Sequence, residues 1–407
     1  MKLAVWIHVL LSVSALAVPA QDSPPPVLLI NGFDLNAAIT GSCEPEPDST
    51  GTFGRLQELL EADGRTVIFF DNCRFGVESI ETLGRALGGV IEDIGRPVDL
   101  IGFSLGGLIV RSYLAGKVPD EDDGFDPPAD PLVRKAVLVA TPSFGSPLAS
   151  LVPTGIQGPQ MREGSRFTWE LARWHQGTDD LREIDALAVA GDGGHGQRGD
   201  GVVPIVSASL TSMGFSPERT RVIPACHNRI AFLLCGSNET MIEVDDESHP
   251  TGRIIRSFLA DTDDWRTVGA AVSDHPSPET GLYFAAAGST GDLDPNATAP
   301  IATRVDAAVS DTTLDSGDPG IFFSRSLATG EYSVGLAAPV RLTPGQTQTV
   351  LAKEGPLVAR IIPSAALIPT CSTRCFRART TLSPWVSYSS PAMPDPMNQP
   401  IPTVALM

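Results

Sequence analysis

Positive charge is scarce in this chain. Lys and Arg number 29 against 48 Asp and Glu among 407 residues, a formal net charge of −19 at pH 7. Such a balance is a poor match for an anionic lipid surface and excludes nucleic acid as a natural partner. Aromatic residues are few as well, at 6%. The chain has no Cys-x-x-Cys, and its His and Cys spacings build no zinc pattern. Beyond Leu3–Val18, no apolar run approaches the ~20 residues that cross a bilayer, so no transmembrane span is expected. No internal repeat is seen.

Gly (39) and Pro (35) are abundant, as in a chain rich in loops and turns, and 42% of residues are hydrophobic. That is enough to bury a core, so wholesale disorder is excluded. At this length two or more domains are expected. The start reads as an export signal over 1–20: Lys2 precedes the apolar stretch, and Val18-Pro19-Ala20 offers small residues at a cleavage site. A secreted or periplasmic location follows. The six cysteines all lie downstream, in the neighbouring pairs Cys43 with Cys73, Cys226 with Cys235, and Cys371 with Cys375. In an oxidising compartment they are disulfide candidates. Six allow 15 connectivities, of which neighbour pairing is the simplest.

From 27 to about 260, apolar runs alternate with amphipathic stretches. Strands are expected at Val27–Ile30, Arg65–Phe70, Val98–Phe103, Lys135–Ala140, Ala186–Ala190 and Thr220–Ala225. Helices are expected over Phe53–Ala62, Val77–Ile94, Leu105–Ala115 and Ile254–Leu259. The runs without polar alternation suit strands covered on both faces, so the pattern implies a doubly wound, mainly parallel α/β sheet. The segment 146–184 breaks the rhythm and reads as a cap, with Trp169 and Leu171 as lining of a pocket beneath it.

From about 263 to 382 the pattern turns to short strands between Pro/Gly/Asp/Thr turns, at Gly281–Phe284, Gly320–Ser324, Glu331–Leu336, Gln348–Ala352 and Leu357–Ile362. This implies a C-terminal all-β, sandwich-like module, followed by a Pro-rich tail over 383–407. The sites named below all precede 263, so a chain cut after 262 is expected to stay competent.

Gly102-Phe103-Ser104-Leu105-Gly106 closes one expected strand and opens one expected helix. This strand–turn–helix context lifts a serine hydroxyl clear of the sheet. A serine needs a base, and the base an orienting acid, both placed after strand ends in later chain. Asp200 lies in the glycine-lined Arg198–Pro204, and His227 follows the strand at 220–225. His249, before the last helix, is an alternative base, and Asp192 an alternative acid. His175 and His195 read as solvent or rim residues.

In order along the chain, Pro26–Phe33, Gly102–Gly106, Ala140–Pro147, Gly199–Val203 and the Cys226-His227 pair resemble the secreted bacterial lipase/esterase branch of the α/β-hydrolases. The resemblance covers residues 26–260. It implies Ser104 as nucleophile, Asp200 as acid, His227 as base, and the backbone N–H groups of Phe33 and Leu105 as oxyanion hole. It implies cleavage of an ester or lipid substrate through an acyl-enzyme, with no cofactor. The family commonly has His-Gly where Asn31-Gly32 stands, and related lipases have a calcium-binding Asp where Arg229 stands, so no metal is implied. An amidase, acyltransferase or polyester depolymerase would use the same triad. A non-catalytic binding or adhesion protein on a hydrolase fold is the reading from outside enzymes.

Overall fold

The computed structural model describes residues 23–353 apart from 118–124, 153–154, 175–180, 194–197, 230, 232–234, 276–279, 288–292, 308–309, 335–338 and 344. The expected signal at 1–20, the strand at 357–362, the tail at 383–407, His175 and His195 lie outside the described residues. So do Cys371 and Cys375, and with them the third expected disulfide. The described residues all fall within the unit Met1–Leu357.

Seven strands form the main sheet: β1 (Val27–Ile30), β2 (Val67–Phe70), β3 (Val98–Phe103), β4 (Val133–Val139), β5 (Asp185–Gly191), β6 (Thr220–Ile223) and β7 (Ala270–Ala271). Their order is β2-β1-β3-β4-β5-β6-β7, parallel except for β7, which joins β6 antiparallel. Parallel neighbours need crossovers. These carry α1 (Leu35–Thr40), α2 (Thr50–Phe53), α3 (Leu56–Ala62), α4 (Ile80–Ile94), α5 (Leu105–Ala115), α6 (Gln157–Met161), α7 (Arg166–Trp174) and α8 (Ile205–Ala208), with α9 (Pro250–Leu259) before β7.

Side chains alternate along each strand, so one apolar run feeds two cores. Leu28, Ile30, Leu100 and Leu138 pack with Leu83 and Leu87 of α4 and Leu108 of α5. Val27, Leu29, Ile101 and Val139 pack with Leu56 and Leu60 of α3 and Ile254 and Phe258 of α9. Burial on both sides is why these strands lack polar alternation. The helix expected over Phe53–Ala62 is divided instead. Gly54 takes φ +58°, and a Cβ there would lie 2.3 Å from the Val244 carbonyl oxygen, so the chain turns between α2 and α3.

The sheet draws on chain beyond residue 262. Trp265 and Val268 enter the core under α9, and β7 supplies the antiparallel edge. The following strands are β8 (Thr280–Ala287), β9 (Ile301–Arg304), β10 (Asp311–Thr313), β11 (Asp315–Ser316), β12 (Ile321–Leu327), β13 (Gly330–Val334), β14 (Val340–Leu342) and β15 (Thr347–Lys353). They make two four-stranded sheets, β10-β9-β13-β14 and β11-β12-β8-β15, antiparallel except for the pair β8–β15. Leu282 and Phe284 of β8 share a core with Ala302, Tyr332 and Val334 from the other sheet.

The opposite face of β8 carries Tyr283 and Ala285, which pack against Phe144 and Trp169. Trp169 and Leu171 therefore depart from the expected pocket lining. Both are fully buried, Trp169 against β8 and Leu171 in the core beside α5. An indole is too large an apolar surface to leave in water when a β-face lies beside it.

Candidate active site

β3 ends at Phe103 and α5 begins at Leu105, which leaves Ser104 as the turn, at φ +52° and ψ −119°. A non-glycine residue held at positive φ costs roughly 1–3 kcal/mol, so the surroundings must enforce it. The flanking glycines permit the close packing that does so. A Cβ on Gly102 would stand 2.6 Å from the Gly107 amide nitrogen, and one on Gly106 would stand 2.3 Å from the Ile30 carbonyl oxygen. The turn aims the Ser104 hydroxyl at the carboxyl edge of the sheet, where the loops after β1, β5 and β6 converge.

There the His227 imidazole bridges two groups. Its Nε2 lies 3.0 Å from Ser104 Oγ, and its Nδ1 lies 2.7 Å from Asp200 Oδ2. All three residues are buried. Asp200 Oδ1 accepts the backbone N–H groups of Val202 at 2.9 Å and Val203 at 2.7 Å. These donors and the imidazole offset the cost of taking a carboxylate out of water. The His227 backbone N–H donates to the Asp200 carbonyl at 2.8 Å, which ties the two residues through the main chain too. The Phe103 ring packs on the imidazole, centroids 4.9 Å apart.

The alternatives lie elsewhere. His249 is buried at the head of α9, and among the described residues neither ring nitrogen meets a side-chain hydroxyl or carboxylate at hydrogen-bond distance, Ser104 included. Burial pushes its pKa below the ordinary 6.5, against the nearby charges of Glu239, Asp245 and Asp246. Asp192 pairs with His275 Nε2 at 2.8 Å, because the turn after β7 brings that imidazole to the end of β5.

The backbone N–H groups of Phe33 and Leu105 donate to no acceptor among the described residues. The loop holding Phe33 is fixed by side chains that sequence reading missed. Asn31 donates to Asp71 Oδ1 at 3.0 Å and accepts from the Asn72 backbone at 2.9 Å, and Asn72 donates to the Gly32 carbonyl at 2.8 Å. Thus Asn31 holds the loop from within. The one available signal was the polar Asp71-Asn72 directly after a strand end.

The structure pairs Cys43 with Cys73 and Cys226 with Cys235, two of the three bridges expected. The third, Cys371 with Cys375, falls outside the described residues. Asp34, Cys43 and Cys73 bring ligand-type atoms within 4.8 Å of one another. With both sulfurs joined in a disulfide, that cluster offers a metal only one carboxylate.

A parallel sheet with helices on both faces, a strained serine between β3 and α5, and partners on loops after β5 and β6 define an α/β-hydrolase fold with an added β-rich module. No protein-family model matches the chain, and no curated protein does. Solved structures do. Phospholipase PlaB from Legionella pneumophila, in complex with thio-NAD, aligns over 81% of this chain and 93% of its own, at 14% identity and TM-score 0.53. PlaB without that ligand gives the same coverage at 13% identity and TM-score 0.52. Bacillus licheniformis lipase BlEst2 in mature form covers 46% of this chain and 80% of its own, at 17% identity and TM-score 0.35.

Proposed function

We propose that this chain is an exported serine hydrolase that cleaves carboxylic esters, a lipase or esterase, through an acyl-enzyme. One observation carries the reading: Ser104 Oγ, His227 and Asp200 form a continuous hydrogen-bonded array at 3.0 and 2.7 Å. In this mechanism His227 Nε2 takes the Ser104 proton as Oγ attacks the ester carbonyl carbon. The oxyanion that forms faces the N–H groups of Phe33 and Leu105, each donor worth roughly 2.7–4 kcal/mol in such sites. His227 then protonates the departing alkoxide, and the alcohol leaves. Water, deprotonated by the same nitrogen, attacks the acyl-enzyme and releases the acid. Asp200 keeps the proton on Nδ1, so that Nε2 faces the serine as acceptor.

Exposed apolar side chains on segments adjoining the Phe33 loop and in the 146–184 segment support a substrate with an apolar acyl or alkyl part. Leu35 and Ile39 on α1, just past the Phe33 loop, are 46% and 57% exposed, and Leu151 in the cap segment is 75% exposed. Two disulfides favour export. Among the described residues no helix is long and apolar enough to cross a membrane. The phospholipase to which the fold is similar agrees with a lipid ester as substrate.

The test is a chain-length series of p-nitrophenyl esters with wild type and Ser104→Ala. Turnover in the wild type and its abolition in a folded Ser104→Ala are expected. Near-wild-type hydrolysis by Ser104→Ala would remove the nucleophile. Inert wild type would favour the non-catalytic binding reading.

A further inference from the structure

The β-rich module reaches the loops that carry the acid. Tyr283 of β8 is buried, and its hydroxyl accepts the Gly164 N–H of the cap segment at 3.0 Å while donating to the Phe144 carbonyl. Desolvation raises the phenol pKa far above its ordinary value, so the hydroxyl remains a donor. Phe144 belongs to the loop after β4, and its ring packs on Tyr283 at 5.3 Å. That loop is stitched to the chain just past Asp200. Ser207 Oγ accepts the Phe144 N–H at 3.0 Å and donates to the Gly145 carbonyl at 2.7 Å. Ser146 Oγ donates to the Val202 carbonyl at 2.6 Å. Val202 is one of the two residues whose N–H holds Asp200 Oδ1.

A second contact arrives from β15. Thr347 Oγ1 donates to the Val206 carbonyl of α8 at 3.1 Å, and the Thr347 N–H donates to Ser212 Oγ at 2.9 Å. Val206 lies three residues beyond Val203, the other amide donor to Asp200. The two contacts brace the acid loop, one through the loop at 143–146 and one through α8.

We propose that Tyr283 and Thr347 are positioning residues for the Asp200 carboxylate, so that the β-rich module completes the acid arm of the site. This rests on the triad reading given above. A carboxylate held to a fraction of an ångström orients the imidazole, and displacement by about 1 Å from a remote change can cost ~100-fold in rate. Coupling between these contacts and the carboxylate is what a double-variant comparison measures.

The full chain is assayed on a short p-nitrophenyl ester as wild type, Tyr283→Phe, Thr347→Val, Asp200→Asn and the two double variants, with folding followed by circular dichroism. Tyr283→Phe is expected to lower kcat roughly ten- to hundredfold with KM within about twofold, and Thr347→Val to act in the same direction. In the Asp200→Asn background neither change should cost more than about threefold further, because both act through the group already lost.

Wild-type kcat in folded Tyr283→Phe and Thr347→Val would overturn the proposal. So would a full repeated penalty in the Asp200→Asn background, which marks a merely structural role. If Tyr283→Phe does not fold, Thr347→Val, which deletes a single hydroxyl, decides. Near-wild-type kcat in Asp200→Asn alone would instead bring down the triad reading. An inactive Asp200→Asn beside fully active module variants would bring down only the positioning role.

Discussion

His227 and His249 differ in what they can do because of their partners. His227 has a hydroxyl at one ring nitrogen and a carboxylate at the other, and His249 has neither. Both histidines are legible in the sequence as candidate bases. Only His227 directly follows a strand end, and the chain to His249 passes through a loop without readable pattern. The Ser104 turn is legible because close backbone approach requires glycine on both sides. The Asn31–Asp71–Asn72 contacts left only the polar pair after a strand end as a signal, since they join residues 40 or 41 apart.

The burial of His249 makes a prediction with a definite sign. Its folded pKa lies below the ordinary 6.5, so between those two values the unfolded chain binds more protons than the folded one. The neutral imidazole therefore contributes stability that is complete above pH 6.5 and lost as pH falls through the folded value. His249→Phe, which cannot titrate, should flatten the acid side of a urea-midpoint profile against pH and leave kcat within about threefold. An unchanged acid slope would contradict the assignment. Loss of turnover matching that of His227→Ala would make His249 part of the machinery.

At the scale of elements, the Cys226–Cys235 disulfide closes the loop that carries His227 and packs on the loop leading to Asp200. Cys226 precedes His227, and a Cβ on Gly193 would stand 1.7 Å from Cys235 Sγ, so the bridge packs directly on the loop leading to Asp200. Gly193 also donates to the Gly199 carbonyl at 2.8 Å, which closes that loop. Joint Cys226→Ser and Cys235→Ser substitution should cost about 2–4 kcal/mol or less, the enclosed loop being short. It should also lower kcat more than it raises KM. Wild-type kcat in the folded double variant would confine the bridge to stability.

The long Val/Ile/Leu strands of the sheet were legible because burial on both faces leaves no alternation to confuse with a half-exposed strand. β7 was not, since two alanines carry no periodicity. β10 and β11 read as turns because Asp and Thr dominate them, and only their pairing in a sheet makes them strands.

For the whole molecule, the change from α/β to all-β patterning near residue 262 was readable, and the dependence of one part on the other was not. β8 is apolar on both faces, Leu282 and Phe284 inward and Tyr283 and Ala285 outward, and nothing in that run names Phe144 and Trp169 as its cover. Ion pairs reinforce the contact: Arg325 Nη1 meets Glu163 at 2.5 Å, and Arg162 pairs with Asp318. Burial raises the Glu163 pKa, with Arg325 opposing that shift.

A chain cut after residue 262 loses Trp265, Val268, β7 and the cover on Trp169. It should therefore be insoluble or inactive, contrary to what the sequence pattern alone suggests. Solubility and hydrolysis of a short p-nitrophenyl ester by the truncated chain check this, and a soluble, fully active fragment would contradict it.

The central claim is that Ser104 is a nucleophile activated by His227 and Asp200. Its most direct test is covalent labelling of the purified protein with a fluorophosphonate, followed by peptide mass mapping. One adduct per chain is expected on the peptide carrying Ser104, absent in Ser104→Ala and formed several orders of magnitude more slowly in His227→Ala. No adduct, an adduct on another residue, or undiminished labelling of His227→Ala would contradict it.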